Sequence, residues 1–217
     1  YYHQQGAPVY PLPKGQPDPA IVEPQLADIA ANHERLYVIF WGDQQRDPQR
    51  VVERWLDENS FKASEEWVGD VRFVVYAVPQ ESPEEIETVL ELEFEEGITL
   101  SGYALNSSDF RAGDIAQVTL FWKTDQAIVG RYKVFLHLID ENGSLVAQRD
   151  SEFAGEWQPG EELVDNHGIL LPPELSTGSY TIVVGLYDSN DPSRRLLIQT
   201  VGTHSNPTSN EQPLDSW

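Results

Sequence analysis

Aromatic side chains are the residues in this sequence best suited to bind a ligand. Four tryptophans attract attention, because sugar rings stack on exposed aromatic faces in many β-sandwich proteins: Trp41, Trp67, Trp122 and Trp157. Trp41 and Trp122 have apolar neighbours, which predicts that they fill hydrophobic cores. Trp157 lies beside Pro159 and Gly160, where a turn would leave it exposed. We therefore predict a ligand-binding set of Trp157, His137 and Tyr187.

Acidic side chains near two predicted strand ends could bind calcium, which takes oxygen ligands. Asp150, Glu161 and Asp165 form the predicted metal set, with Glu156 close by. Their spacing does not match an EF-hand loop. The alternative is that these residues only stabilise turns, where Asp forms local hydrogen bonds. No other cofactor is predicted.

Several classes of catalytic site are excluded by the sequence. The chain has no cysteine, so disulfides, thiol nucleophiles and cysteine-ligated metals are impossible. It also lacks the HExxH zinc motif, the GxSxG nucleophile elbow and the phosphate-binding loops. We predict no catalytic residue. A glycoside hydrolase stays open as a minor alternative, because the separation of two carboxylates cannot be read from sequence.

The charge balance also limits the possible partners. The 217 residues include 14 basic and 36 acidic ones, a formal charge of −22. A chain this acidic is not expected to bind nucleic acid, which requires clustered Lys and Arg. No apolar run is long enough to span a bilayer. The chain contains no methionine, so we expect that either a precursor was cleaved or that this is only part of a longer protein.

The first part of the chain, residues 1–80, is predicted to be a small α/β layer domain with a proline-rich lead-in. A helix is expected to begin at Pro24, followed by a strand, Leu36–Trp41, buried on both faces as in a parallel sheet. Asp47 is expected to cap a second helix. Phe61–Trp67 and Val71–Ala77 are predicted strands. The predicted fold class of the whole chain is thus α+β in two parts.

Residues 84–202 are predicted to form an all-β antiparallel sandwich, immunoglobulin-like or jelly-roll-like, followed by a flexible tail at 203–217. The sequence Asn142-Gly143 indicates a hairpin. Period-two hydrophobicity predicts eight strands: Val89–Phe94, Ile98–Leu105, Ile115–Trp122, Tyr132–Ile139, Ser144–Asp150, Leu163–Leu171, Ser179–Tyr187 and Arg195–Val201.

Two series of short motifs resemble a known family. In the first half they are Val52–Asn59, Trp67–Phe73 and Tyr76–Pro79; in the second half they include Leu100–Tyr103, Leu120–Trp122, Val134–Asp140, Val146–Asp150, Trp157–Glu161 and Val184–Asp188. The first series resembles the soluble part that follows the last membrane span in bacterial membrane glycosyltransferases of the protein-mannosyltransferase and aminoarabinose-transferase type. The second is similar to the β-sandwich appended to some of those enzymes.

This resemblance implies a role without catalysis. Enzymes of that family carry their catalytic acidic residues in a multi-span membrane domain, which this chain lacks. The resemblance therefore implies an extracytoplasmic accessory region, tethered to the cytoplasmic membrane in the full-length protein. Its partners would be the membrane-embedded part of the same protein and an acceptor glycan or protein. The alternative is a free-standing secreted carbohydrate-binding or adhesion module, stabilised by calcium.

Overall fold

A computed structural model describes residues 6–13, 15–79, 85–128, 130–152, 159–199 and 210–216. Within these ranges the chain is mostly β-strand. The helices are α1 (Pro19–Ala31), α2 (Asp43–Arg46) and α3 (Val51–Asn59). The strands are β1 (Arg35–Trp41), β2 (Phe61–Val68), β3 (Val71–Ala77), β4 (Thr88–Phe94), β5 (Ile98–Leu105), β6 (Ile115–Thr124), β7 (Tyr132–Asp140), β8 (Leu145–Glu152), β9 (Glu162–Leu170), β10 (Tyr180–Asp188), β11 (Asp191–Arg195), β12 (Ile198–Gln199) and β13 (Gln212–Ser216).

The strands form two sheets. The first has eight strands in the order β1-β3-β2-β9-β6-β5-β4-β12. The second has the order β11-β10-β7-β8, and β13 also pairs with β10. Alternate residues of facing strands, such as Leu120 and Trp122 in β6 and Leu136 and Val184 in the second sheet, form one buried cluster. This packing gives the sandwich predicted for the second half of the chain.

The helices and the second sheet cover the same face of the first sheet, side by side. Tyr76 pairs with Lys62, Lys62 pairs with His167, and His167 pairs with Val118. Paired residues in a sheet share a face, so these four side chains lie on one side. Tyr76 belongs to the cluster under α1 and α3, whereas Val118 belongs to the core between the sheets. A groove therefore separates α3 from the edge of the second sheet.

The separate α/β layer domain is not confirmed. β1, β3 and β2 are antiparallel to one another, and β2 joins the sandwich sheet by parallel pairing with β9 at Lys62 and His167. The first sheet is thus continuous across the boundary predicted at residues 80–84. The prediction was a parallel sheet layered with helices. The structure instead has helices packed on antiparallel strands at one end of the first sheet.

The prediction that Leu36–Trp41 is buried on both faces is wrong. β1 is an edge strand, and its only partner among the described strands is β3. Alternate residues pack beneath the helices, but Tyr37, Ile39 and Trp41 are exposed by 59%, 66% and 60%. The sequence of β1 does not alternate between apolar and polar residues, because its outward-facing residues are apolar too. A strand buried on both faces has the same pattern.

The first helix begins at Pro19 and not at Pro24. Proline suits the first helical position, and the Oδ1 of Asp18 accepts a hydrogen bond from the Ala20 N–H. Pro24 lies inside the helix. The predicted cap of the next long helix is confirmed, since the Asp47 carboxylate accepts from the N–H groups of Val51 and Val52 at 2.9 and 3.0 Å.

The hairpin predicted at Asn142-Gly143 is present between β7 and β8. Gly143 has a φ of +78°, and Asp140 Oδ1 accepts hydrogen bonds from the backbones of Asn142 and Ser144. The last predicted strand, Arg195–Val201, corresponds instead to the end of β11 and to β12, with residues 200 and 201 outside the described ranges. Residues 212–216, in the segment predicted as a flexible tail, form β13.

Candidate functional site

A cleft of about 410 Å³ lies at one end of the first sheet. Two tryptophans line it: Trp41 and Trp67, whose exposed fractions are 60% and 59%. The remaining lining residues are polar or small: Gly42, Asp43, Gln44, Gln45, Arg46 and Asp70. The cleft thus combines two large aromatic surfaces with amide, carboxylate and guanidinium groups.

The two tryptophans reach the cleft from opposite faces of the antiparallel sheet. Trp41 pairs with Val71 and Trp67 pairs with Arg72, which are adjacent residues at the start of β3. β1 and β2 therefore both end at this edge. Each strand is followed by a glycine with a φ of +65°, Gly42 before α2 and Gly69 in the turn between β2 and β3. That left-handed conformation favours glycine and turns the chain sharply beside each ring.

Polar contacts hold the aromatic rings in place. Trp41 Nε1 donates a hydrogen bond to Asp70 Oδ2 at 3.2 Å. The guanidinium carbon of Arg46 lies 5.8 Å from the centre of the Trp41 ring, and that of Arg72 lies 5.8 Å from the Trp67 ring. Both arginines are within the range of a cation–π interaction. The rings are thus oriented before any ligand binds.

An ion-pair network supports this end of the sheet. Arg72 forms hydrogen bonds with both carboxylate oxygens of Glu53 and also bonds Glu65 and Asp43. Burial alone would raise the pKa of Glu53, but Arg72, Lys62 and Arg50 outweigh it and lower the pKa to about 2. The Glu53 contact, opposed in part by burial, raises the pKa of Arg72 above its ordinary value. Asp43, which lines the cleft, is thereby fixed to the buried network.

Two of the predicted ligand-binding residues lie on the outer face of the second sheet. His137 and Tyr187 flank Phe135, with ring centres 4.7 and 6.4 Å from that of Phe135. Asp150 joins them: Tyr187 donates its hydroxyl to Oδ2 at 3.0 Å, and His137 Nε2 lies 3.9 Å from Oδ1. The third predicted residue, Trp157, lies outside the described residues.

Burial and Asp150 set the titration of this group. Burial, which outweighs the opposing effect of Asp150, lowers the pKa of His137. Burial and then the Asp150 carboxylate raise the pKa of Tyr187 to about 12. His137 and Tyr187 are only partly exposed, so they offer less aromatic surface than Trp41 and Trp67.

The three predicted calcium ligands do not converge on one point. Asp150 is engaged by Tyr187, and Asp165 Oδ2 lies 2.6 Å from His167 Nε2 inside the sandwich. Glu161 is exposed in the segment before β9. Among the described residues, no group of three acidic or histidine side chains is arranged to hold a metal ion.

Sequence reasoning missed most of the cleft. Trp41 was expected to fill a core, and it is exposed; Trp122, with the same expectation, is fully buried. The polar residues that follow Trp41 were not singled out. A usable signal was present in the two Gly-Asp pairs, Gly42-Asp43 and Gly69-Asp70, which place a turn and a carboxylate just after each strand.

Comparison with known proteins gives only weak structural similarity. No protein-family model matches the chain, and no curated protein matches it. The C-terminal domain of Wzt is similar over 64% of this chain and 75% of that one, with 15% identity and a TM-score of 0.36.

Two larger proteins also match in part. A calcium-binding mutant of Bacteroides uniformis beta-glucuronidase 2 matches over 56% of this chain and 14% of its own, with 12% identity and a TM-score of 0.31. A glycosyl hydrolase family 2 member from Bacteroides cellulosilyticus matches over 58% and 19%, with 15% identity and a TM-score of 0.32. These chains come from carbohydrate-related proteins, and the low TM-scores mean that the likeness is partial.

Proposed function

We propose that this chain is a non-catalytic glycan-binding region and that the cleft between Trp41 and Trp67 is its sugar-binding site. The observation that carries the proposal is the exposure of both indoles, 60% and 59%, in a single polar-rimmed cleft. Large aromatic side chains usually bury most of their surface. Two that remain exposed in one cleft mark a surface that a ligand covers.

The chemistry of the cleft matches a sugar in particular. The C–H faces of a pyranose ring are apolar and pack against indole, whereas its hydroxyls require donors and acceptors at the ring edge. Gln44 and Gln45 supply amides, and Asp43, Asp70 and Arg46 supply charged groups. A purely apolar ligand would remove the amides of Gln44 and Gln45 from water without replacing their hydrogen bonds, at a cost in binding free energy.

A glycan array tests this proposal. The wild-type chain should bind a defined subset of glycans, and Trp41→Ala and Trp67→Ala should each abolish the same signals. Tyr37→Ala is the matched control, because Tyr37 is equally exposed on β1 but does not line the cleft. Absence of binding across a broad array, or equal binding by all variants, would refute the proposal.

We further propose that this region is the extracytoplasmic part of a membrane glycosyltransferase, where it recognises an acceptor glycan or protein. The support is the ordered series of motifs that resembles those enzymes. None of the helices in the described ranges has the length and hydrophobicity needed to cross a bilayer. The exposed apolar residues Tyr37, Ile39 and Val68 offer a surface for contact with the membrane-embedded part.

The complete gene product tests this finer proposal. Expressed with its native flanking sequence, it should remain in the membrane pellet after carbonate extraction and transfer sugar from a lipid-linked donor. Trp41→Ala should reduce transfer to the acceptor while leaving hydrolysis of the donor unchanged. A gene that encodes only a signal peptide before Tyr1, with no spans elsewhere, would contradict it.

The alternative is a free-standing secreted binding or adhesion module stabilised by calcium. One observation favours a cation: Asp150 Oδ1 is buried without a hydrogen-bond partner among the described residues. A cation bound only by the folded state would raise the melting temperature. Melting temperatures measured in calcium and in chelator test this alternative. An equal melting temperature in both would show that calcium does not stabilise the fold.

A further inference from the structure

The groove between α3 and the edge strand β8 holds a second constellation of charged groups. It has a volume of about 470 Å³ and is lined by α3 on one side and by Arg149 and Ser151 on the other. Lys133 from β7 also lines it. The floor is the shared first sheet, where β2 pairs with β9. The groove is distinct from the tryptophan cleft, although Arg72 contacts residues of both.

The carboxylates that line this groove are already engaged. Each has a cationic or hydrogen-bonding partner among the described residues: Glu53 with Arg72, Asp57 with Lys62, Glu65 with Arg72, Asp150 with Tyr187, Glu152 with Arg131 and Asp165 with His167. Lys62 and Arg72 are the cationic partners in these ion pairs. Each of these carboxylates thus already has a partner in the fold, although Asp150 is bonded only through Oδ2, by the Tyr187 hydroxyl.

Arg149 and Lys133 are the two cations left over. Within the described ranges, neither forms an ion pair or a side-chain hydrogen bond, and both line the groove. Arg149 is partly buried, and this burial lowers the pKa of its guanidinium against the opposing effect of the carboxylates of Glu65, Asp57 and Asp150, none of which bonds it directly. A partly buried cation without a paired anion is unfavourable, so Arg149 is stabilised when an anion enters the groove.

We infer that this groove binds the carboxylate of an acidic sugar, a uronic acid residue, with Arg149 as its principal contact. The planar guanidinium of Arg149 matches a carboxylate with two parallel hydrogen bonds, and Lys133, which also lines the groove, adds positive charge nearby. The six neighbouring carboxylates disfavour a second negative charge, which argues against a phosphate dianion. The inference that the groove binds a carboxylate depends only on the groove. The inference that this carboxylate belongs to a sugar rests on the proposed function.

Titration of the chain with glucuronate, glucose and inorganic phosphate, followed by NMR, tests this inference. Glucuronate should bind saturably, and Arg149→Gln should weaken that binding about tenfold or more, because a charge-assisted contact is lost. The glucuronate affinity of Arg149→Lys should lie between those of the wild type and Arg149→Gln, since lysine keeps the charge but loses the bidentate geometry. Arg111→Gln is the matched control, because Arg111 is an exposed arginine outside the groove.

The outcomes separate this site from the cleft. Trp41→Ala and Trp67→Ala should leave glucuronate binding unchanged, so failure of the cleft proposal would not mask the result. Phosphate should bind more weakly than glucuronate, and glucose should give no response that depends on Arg149. The inference is overturned if glucuronate does not bind, if Arg149→Gln behaves like Arg111→Gln, or if phosphate binds more tightly. Melting curves should show that Arg149→Gln is folded.

Discussion

The indole N–H of Trp41 donates a hydrogen bond to the carboxylate of Asp70 at 3.2 Å, which ties the end of β1 to the turn between β2 and β3. Both residues line the cleft, and Trp41 pairs in the sheet with Val71, the residue that follows Asp70. A single hydrogen bond thus links the two walls that carry Trp41 and Trp67. It restricts the Trp41 ring without covering its face, which stays available for stacking.

Loss of this bond should weaken binding less than loss of the ring. Asp70→Ala removes the acceptor but leaves the indole in place, so glycan affinity should fall about threefold to tenfold, the range expected for one hydrogen bond of about 0.5–1.5 kcal/mol. Affinity measured by calorimetry checks this. The expectation fails if Asp70→Ala costs as much as Trp41→Ala, or if it costs nothing.

The buried pair of Glu53 and Arg72 should be a main determinant of stability at this end of the sheet. Glu53→Gln leaves the Arg72 charge partly buried without its principal partner, so the free energy of unfolding should fall by about 3 kcal/mol. Glu58→Gln is the control, because Glu58 is exposed on the same helix. Equal denaturation midpoints for the two variants would contradict this assignment.

The same pair predicts a dependence of stability on pH. The Glu53 pKa is about 2 in the folded chain against an ordinary 4.5, so the ionised carboxylate stabilises the fold above pH 4.5. That contribution, about 3 kcal/mol, is lost as the pH falls from about 4.5 to about 2. Unfolding free energies of wild type and Glu53→Gln should therefore converge over this range. A constant difference between them would show that Glu53 titrates normally.

The outer face of the second sheet should tolerate no added atom at Gly185. A Cβ there would overlap the Phe135 ring and would lie 2.6 Å from the backbone oxygen of Asn210. Gly185→Ala should therefore lower the free energy of unfolding by about 1–3 kcal/mol through overpacking. Gly178→Ala is the control, since the nearest atoms to its Cβ would be 3.9 Å away. Equal stability of both variants would show that Phe135 can move aside.

Local patterns predicted the strands well because each pattern reflects a local cause. The alternation in residues 98–105 and 132–139 predicted strands whose inward side chains fill the core between the sheets. The turn at Asn142-Gly143 followed from the positive φ that glycine accepts. The sandwich in the second half could therefore be read from the sequence.

Long-range pairing was not predictable in the same way. The parallel contact between Lys62 and His167 joins residues more than one hundred positions apart, and no local pattern encodes it. Without knowledge of this pairing, the local patterns in residues 1–80 predict a separate layer domain. The exposure of Trp41 has the same origin: an apolar run indicates burial, but only the position of β1 at the sheet edge leaves that residue uncovered.

Calorimetric titration of one array-identified glycan into the wild type, Trp41→Ala, Trp67→Ala and Tyr37→Ala tests the central claim most directly. Buried aromatic anchors at binding sites typically contribute more than about 1–2 kcal/mol, so each cleft variant should lose affinity about tenfold or more while the Tyr37 variant matches the wild type. Unchanged affinity in both tryptophan variants, with all four proteins folded, would show that sugars bind elsewhere and would contradict this account.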